Sequence, residues 1–141
     1  FPDDYIKGTS ERMLLYRELD NLENEEQLEL FKIGLIDRFG KMPQESIELL
    51  EVVQLRWKAI ELSMEKIILK NKTMICYFVS DQQSSYYQTA TFSNVLAFVQ
   101  KNRTSCVMKE KETKQGLRLL LTFDHITSIN KAFSTLQKIP H

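Results

Sequence analysis

The residues that most often build catalytic sites are scarce in this chain. Its 141 residues include four glycines, two histidines and two cysteines. The glycines, Gly8, Gly34, Gly40 and Gly116, are too scattered to form a phosphate-binding loop or a dinucleotide fingerprint. We therefore expect this segment to bind no nucleotide cofactor.

The histidines and cysteines do not have the spacing of a metal site. His125 and His141 are not placed relative to each other, or to Cys76 and Cys106, as zinc ligands usually are. Both cysteines fall in runs of strand-forming residues, where a buried and reduced thiol is the ordinary expectation. A disulfide between them is the open alternative.

Asp124 and His125 resemble a catalytic base and its orienting carboxylate, with a serine as nucleophile. Adjacent residues rarely adopt that geometry, and Asp-His at the end of a strand is ordinary turn chemistry. Paired carboxylates such as Glu25-Glu26 fall in helical patterns, where a solvated surface is the usual explanation. We therefore predict that this segment is not an enzyme.

The first elements of the chain follow from its apolar periodicity and its capping residues. Residues 1–8 are predicted to form an extended leader, and Thr9 or Ser10 to cap a first helix that ends near Asn21. A capping box over residues 24–27 starts a second helix, which runs to Phe39 and stops at Gly40. The apolar residues of the first helix are Met13, Tyr16, Leu19 and Leu22.

Pro43 suits the first turn of a long third helix. Trp57 falls on the apolar stripe of this helix, so we predict that it is a core residue. The other members of the stripe are Ile47, Leu50, Val53, Ile60 and Met64.

From Glu65 onward the residues become β-branched and aromatic. Residues 67–69 and 74–79 predict a hairpin around Asn71-Lys72, and residues 105–109 and 117–123 a second one around 114–116. A helix between the hairpins and a closing helix are predicted from the apolar sets Phe92, Val95, Leu96, Val99 and Ile126, Ile129, Phe133, Leu136. The fold class is therefore α+β, a single domain over residues 9–141 with a helical part over about 9–64 and an antiparallel sheet part over about 65–141.

The net charge of zero is unevenly distributed. Residues 1–64 carry 14 acidic and 8 basic side chains, whereas residues 65–141 carry 5 acidic and 11 basic ones. Glu110 and Glu112 interrupt the basic residues of the second hairpin, and Tyr86-Tyr87 next to a loop suits core packing better than base stacking. Nucleic-acid binding is therefore the weaker interpretation. The basic residues are Lys101, Arg103, Lys109, Lys111, Lys114 and Arg118.

The second helix carries apolar residues on two sides. Its core stripe is Leu28, Phe31, Leu35 and Phe39, and Asp37 lies about 180° from Leu28 on a helical wheel. Beside Asp37 stand the uncharged Leu30, Ile33 and Gly34. This pattern is typical of an ion-pair site shielded from water, and the alternative is that the first and third helices bury both sides.

These residues resemble a known family. The sequence over residues 2–6, 12–16 and 35–40, with Pro43 and Leu49-Leu50, is similar to the C-terminal domain of bacterial transcription-repair coupling factors (Mfd). The similarity is specific over about residues 1–67. Because the chain begins with Phe1 and has no leader peptide or membrane-length apolar window, we expect a segment of a longer cytoplasmic protein.

The resemblance implies a parent DNA translocase, driven by ATP and Mg, that displaces stalled RNA polymerase and recruits nucleotide-excision repair. In that family the C-terminal domain is an autoinhibitory clamp on the N-terminal module that binds UvrA. Asp37 matches a carboxylate that faces arginines of that module, with Leu30, Ile33, Gly34 and Arg38 around it. Gly34 stands where the family has a second carboxylate, and Ser63 where it has a glycine. The alternative is a domain that contacts nucleic acid or RNA polymerase through the basic second hairpin.

Overall fold

A computed structural model describes residues 1–81, 83–114 and 116–140, and the order of its elements is the one that the sequence predicts. The chain groups into two compact units, which we call the helical unit (Phe1–Gln54) and the sheet unit (Leu55 onward). The helices are α1 (Thr9–Asp20), α2 (Glu25–Phe39), α3 (Gln44–Glu61), α4 (Ala90–Lys101) and α5 (Ile129–Gln137). The strands are β1 (Met64–Lys70), β2 (Thr73–Phe78), β3 (Cys106–Thr113) and β4 (Gly116–Asp124).

The beginning of the helical unit differs from the predicted extended leader. The N–H groups of Tyr5 and Ile6 both donate to the carbonyl of Pro2, at 3.1 and 3.0 Å, which closes a turn. The apolar side chain of Ile6 is fully buried in the unit. Arg12 fixes the turn, because its guanidinium donates to the Ile6 carbonyl at 2.6 Å.

The predicted cap of α1 is wrong, and the predicted ends of α2 are confirmed. The N-cap of α1 is Gly8, which has no side chain to cap the helix, and the Thr9 hydroxyl accepts from Arg12 at 3.2 Å. In α2 the Asn24 side chain accepts from the Gln27 N–H at 2.8 Å, and the Gln27 side-chain oxygen accepts from the Glu23 N–H at 2.8 Å. Gly40, at φ 85°, then ends the helix.

The apolar stripes predicted for α1 and α3 are partly wrong. In α1, Leu15 and Leu19 are buried, whereas Met13 is 53% exposed. In α3, Trp57 is only half-buried and Ile60 is 65% exposed. The reason is that α3 contributes to both units and buries a different set of positions in each, so one periodic stripe does not describe it. Its buried residues are Ser46, Leu50 and Val53 in the helical unit and Leu55, Lys58 and Ala59 in the sheet unit.

The sheet is antiparallel throughout, with the strand order β1-β2-β4-β3. Asn71 and Lys72 both have positive φ, 54° and 61°, as the two-residue turn of a hairpin requires. The second hairpin pairs Cys106 with Phe123 and continues to Thr113 opposite Gly116, so β3 extends beyond its predicted end. Gln115, in the predicted turn of this hairpin, lies outside the described residues.

The core of the sheet unit lies on one face of the sheet. Phe78 and Phe123, both almost fully buried, pack there with side chains from α4, α5 and the end of α3. Cys76 and Cys106 are free thiols buried in the same core, which confirms the prediction for both. Burial raises the pKa of the Cys76 thiol to about 12.

Tyr86 and Tyr87 have a structural role, as predicted. They stand in a short 3₁₀ helix, Ser85–Gln88, that precedes α4. The Tyr86 hydroxyl donates to the Leu62 carbonyl at 2.6 Å, and the Tyr87 hydroxyl donates to the Val79 carbonyl. Across the described ranges, every helix is too short or too polar to cross a bilayer.

Candidate docking surface on the second helix

One stripe of α2 points away from the core of the helical unit. We call it the α2 stripe, and it consists of Leu30, Ile33, Gly34 and Asp37. The spacing i, i+3, i+4, i+7 places these residues on one helix face. It is the spacing with which an amphipathic helix presents itself to the groove of a partner.

The exposure of the α2 stripe argues against the interpretation that the first and third helices bury both sides of α2. Leu30 is 66% exposed and Ile33 is 53% exposed. On the opposite side of the helix, Leu28, Phe31 and Leu35 are all buried. Helices α1 and α3 therefore cover one side of α2 only, and the stripe is a solvent-facing apolar surface.

Asp37 stands at the end of this apolar surface without a local partner. Its side chain is exposed, and in the described part of the chain it forms no hydrogen bond and no ion pair. The neighbouring Arg38 is turned away, because its guanidinium pairs with Glu11 of α1 and lies over the Phe39 ring, 4.8 Å from the centroid. Asp37 is thus available to a cation from outside the unit, whereas Arg38 already has a partner within it.

Gly34 leaves open space in the middle of the stripe. A methyl group added there would meet no atom within 4 Å, apart from its own helix backbone and chain neighbours. The glycine is therefore not required by packing inside the chain. A larger side chain at this position could therefore reach toward a partner without a clash inside the chain.

Four further exposed apolar residues in this unit were not assigned to a site by the sequence. Met13, Leu14 and Tyr16 of α1 are 53%, 58% and 38% exposed, and Ile36 of α2 is 44% exposed. Residues 13–16 form an unbroken apolar run, so periodicity does not separate the buried Leu15 from its neighbours. The run itself indicates exposed apolar residues, because a helix that buries only one face must leave part of a four-residue apolar run in solvent.

The remaining candidates for chemistry show no metal-binding cluster in the part of the chain that the structure describes. His125 has φ 61° in the turn after β4, and His141 lies outside the described residues. Within the described ranges, no three His, Cys, Asp or Glu side chains are placed to hold a metal ion. A cavity of about 90 Å³ between α2 and α3 is smaller than typical ligand pockets of roughly 300–1,000 Å³. A wider depression of about 510 Å³ beside Pro43 is open to solvent and has Asp4 and Lys41 as its charged groups.

Comparison with known proteins connects this surface to a family. The family model of the TRCF domain matches residues 1–89, which include all of α2. The chain belongs to the TRCF domain family. The match also covers α1, α3 and the first hairpin, so the α2 stripe lies within the part of the chain that defines the family.

Relatives of this TRCF domain extend the similarity to almost the whole chain. The transcription-repair-coupling factor of Rickettsia prowazekii is 28% identical over 139 residues, which cover 98% of this chain and 12% of that protein. The Escherichia coli protein of the same name is 36% identical over 66 residues, or 47% of this chain and 6% of that protein. The TRCF domain described here thus spans about an eighth or less of the length of these relatives.

A solved structure shares the fold of this TRCF domain. The crystal structure of the C-terminal domain of a transcription-repair coupling factor aligns with a TM-score of 0.68 at 20% identity. The alignment covers 99% of this chain and 86% of that one. The α+β fold is therefore shared over both units, including the sheet, where the sequence resemblance was weakest.

Proposed function

We propose that this TRCF domain is the non-catalytic regulatory domain of a transcription-repair coupling factor. The parent protein is a cytoplasmic, ATP-driven DNA translocase that displaces stalled RNA polymerase and recruits nucleotide-excision repair. The domain packs on the N-terminal module that binds UvrA and acts as an autoinhibitory clamp. RNA polymerase and UvrA are therefore indirect partners, and the N-terminal module is the direct one.

The α2 stripe is the observation that carries this proposal. Two large aliphatic side chains, Leu30 and Ile33, are more than half exposed on the same helix face as an unpaired carboxylate. A partner that covers Leu30 and Ile33 excludes water around Asp37, and an ion pair formed there is stronger than one in solvent. A clustered apolar surface of this kind is a feature of interfaces.

The charge of the helical unit supports a basic partner. Residues 1–54 carry thirteen acidic and six basic side chains. Such an acidic surface favours the approach of a basic one and raises the rate of association. The family resemblance, in which arginines of the N-terminal module face the position of Asp37, agrees with this charge.

A charge reversal at Asp37 tests the proposal. We expect Asp37→Lys to weaken binding to the separately expressed N-terminal module by about 2–5 kcal/mol, because it leaves a buried arginine of the partner unpaired. Titration calorimetry measures the loss. The matched control is Glu18→Lys, which makes the same charge change on the exposed side of α1 and should leave binding within about threefold of the original.

A substitution at Gly34 tests the same surface in the opposite direction. Gly34→Glu puts a second carboxylate one turn before Asp37, in space that is open within the chain. We expect it to tighten docking by about tenfold, or about 1.4 kcal/mol, through an additional charge-assisted contact. In the full-length protein, Asp37→Lys should raise affinity for UvrA and Gly34→Glu should lower it.

Two results would overturn the docking function. One is unchanged binding to the N-terminal module by a correctly folded Asp37→Lys variant. The other is loss of folding in that variant, because Asp37 would then be needed inside the helical unit. The non-catalytic assignment has its own test, since addition of ATP and Mg should leave the amide spectrum of the chain unchanged.

A further inference from the structure

The two faces of the sheet have different roles in the sheet unit. Side chains alternate between the faces along each strand, and Met74, Cys76 and Phe78 of β2 point into the core. The residues that alternate with these core positions, on β2 and on its neighbours in register, point to the second face. None of them belongs to the core that α4, α5 and the end of α3 share. We call this second face the open face; Tyr77 and Leu120 on it are buried, whereas its lysines are exposed.

Alternation on β3 separates its charges by sign. The strand contains Lys109-Glu110-Lys111-Glu112, and Met108 of the same strand packs against the core. Glu110 and Glu112 follow Met108 at intervals of two and share its side of the sheet. Lys109 and Lys111 therefore lie on the open face, opposite Leu120 and Arg118 of β4. The glutamates that seemed to interrupt the basic cluster in the sequence are directed to the other side of the strand.

The first strand adds further positive charge to the open face. Lys66 and Lys70 of β1 are exposed there, because Lys66 is opposite Tyr77 and Lys70 is opposite Thr73. Carboxylates near this face include Glu65, which Arg118 binds at 2.6 Å, and Asp124 at the end of β4. In the described part of the chain, none of the four lysines of the open face forms an ion pair within 4 Å.

The spacing of these lysines suits a polymer of phosphates. Lys66 and Lys70 on one edge strand are separated from Lys109 and Lys111 on the other by three strand spacings, or about 14 Å. Two successive open-face positions on one strand are about 7 Å apart, which equals the axial rise of two nucleotides in one DNA strand. Four such cations present a field of positive charge rather than a pocket for one anion.

The aromatic ring of the open face is not available to stack on bases. Lys66 and Arg118 lie over the Tyr77 ring, at 5.4 and 5.1 Å from its centroid, and Tyr77 is buried. Proteins that bind single strands use exposed aromatic rings as stacking platforms. Nucleic acid on the open face would therefore meet lysines but no exposed ring on which bases could stack, which favours a duplex over a single strand.

We propose that the open face binds the phosphate backbone of duplex nucleic acid without sequence preference. Residues from 55 onward carry thirteen basic and six acidic side chains, which matches a polyanionic partner. The proposal concerns the sheet unit only, so it holds or fails independently of docking through the α2 stripe.

The test measures how tightly the 141-residue chain binds a DNA duplex of about 20 base pairs at a series of salt concentrations. Fluorescence anisotropy of the labelled duplex reports the binding. The duplex should bind, and the double variant Lys109→Gln/Lys111→Gln should weaken binding at least tenfold at low salt. Each lost phosphate contact reduces the slope of log K against log salt by about 0.9, so the slope should fall by about 2. The matched control is Glu110→Gln/Glu112→Gln, on the same strand and the opposite face, which should not weaken binding.

Other results would overturn the proposal. Absence of duplex binding at low salt would do so, as would an equal loss of affinity in the two double variants. If a single strand of the same length or polyglutamate bound as tightly as the duplex, the face would belong to a different class of partner. If the double variant Lys109→Gln/Lys111→Gln fails to fold, the single variant Lys66→Gln on the other edge strand is tested in its place. It should reduce the slope of log K against log salt by about 1.

Discussion

The two units of the chain expose apolar side chains in different patterns. In the sheet unit the large exposed ones, Ile60, Leu69, Leu96, Val107 and Leu117, stand on five different elements. In the helical unit they stand on two helices only, Met13, Leu14 and Tyr16 on α1 and Leu30, Ile33 and Ile36 on α2. Scattered exposure is ordinary on any protein surface, whereas concentration on neighbouring helices is typical of an interface. On α2 two of these residues share a face with the unpaired Asp37, and this combination distinguishes the α2 stripe from the exposed residues of α1.

Charge separates the units in a second way. The acidic helical unit has an apolar surface that ends in a carboxylate, which fits a basic protein. The sheet unit has the opposite charge and carries four lysines on its open face. The same fold therefore offers two surfaces of different chemistry, which variants at different residues can test separately.

The largest effect expected from this comparison concerns two leucines. Leu121 is fully buried in the sheet unit, whereas Leu30 is 66% exposed in the helical unit. Leu121→Ala should lower the free energy of unfolding by about 2–5 kcal/mol, because it removes buried contacts and leaves a cavity. Leu30→Ala should change it by less than about 0.5 kcal/mol. Urea unfolding followed by circular dichroism measures both, and a large loss in Leu30→Ala would mean that the stripe is structural.

A pH titration provides the second test, because it reports on the sheet unit through Cys76. Burial raises the pKa of this thiol to about 12 from an ordinary value of 9.0. Between those values the folded chain keeps a proton that the unfolded chain releases, so stability is complete below about pH 9 and falls as the pH rises toward 12. The slope should approach about 1.4 kcal/mol per pH unit for this group.

The matched variant for this titration is Cys76→Ala. It should reduce the alkaline slope and leave the part that comes from Tyr86, whose pKa burial also raises. Residues 1–54 contain no cysteine, so the thiol part of the slope belongs to the sheet unit. A slope unchanged by Cys76→Ala would show that the thiol is not buried in solution.

The third test compares two lysines of the sheet unit. Lys58 is buried, and its ammonium donates to the carbonyl of the buried Ile139 at 3.1 Å. Lys58→Met should cost about 1–3 kcal/mol, because the carbonyl loses a charged donor in a buried position. Lys70 on the open face is exposed, and Lys70→Met should cost less than about 0.5 kcal/mol. Equal melting temperatures for the two variants would contradict the burial of Lys58.

Local chemistry explains what could be predicted from the sequence. The ends of α2 depend on Asn24, Gln27 and Gly40, and the first hairpin depends on Asn71-Lys72, so short segments were sufficient for both. The prediction that Trp57 is a core residue was wrong, because α3 contributes to two units and the apolar periodicity of one helix does not show where one unit ends.

The open face could not be predicted for a similar reason. The alternation of Lys109 and Lys111 with two glutamates is visible in the sequence. The side that faces the helices, however, depends on strand order and on packing between distant segments. Wheel geometry gave the position of Leu30, Ile33 and Asp37 opposite the core stripe of α2. It left open whether that side is exposed, because coverage by α1 and α3 depends on tertiary packing.

The smallest expected effect is a change in the free energy of unfolding when two glycines of the helical unit are replaced by alanine. Comparing the two variants sharpens the assignment of the α2 stripe. Gly34 lies inside α2, and a methyl group added there meets nothing within 4 Å. Because glycine costs a helix interior roughly 0.5–1 kcal/mol relative to alanine, Gly34→Ala should raise the free energy of unfolding by about that amount. Gly40 is equally uncrowded but has φ +85°, so Gly40→Ala should lower stability by about 1 kcal/mol through backbone strain alone.

Opposite signs from two glycines six residues apart, measured by urea unfolding, would show that the chain itself does not need Gly34. Position 34 would then be free to carry a larger side chain toward a partner of α2, which is what the predicted gain from Gly34→Glu requires. A loss of stability in Gly34→Ala would instead place the requirement for glycine inside the fold. That result would remove Gly34 from the docking surface while leaving the exposed Leu30, Ile33 and Asp37 in it.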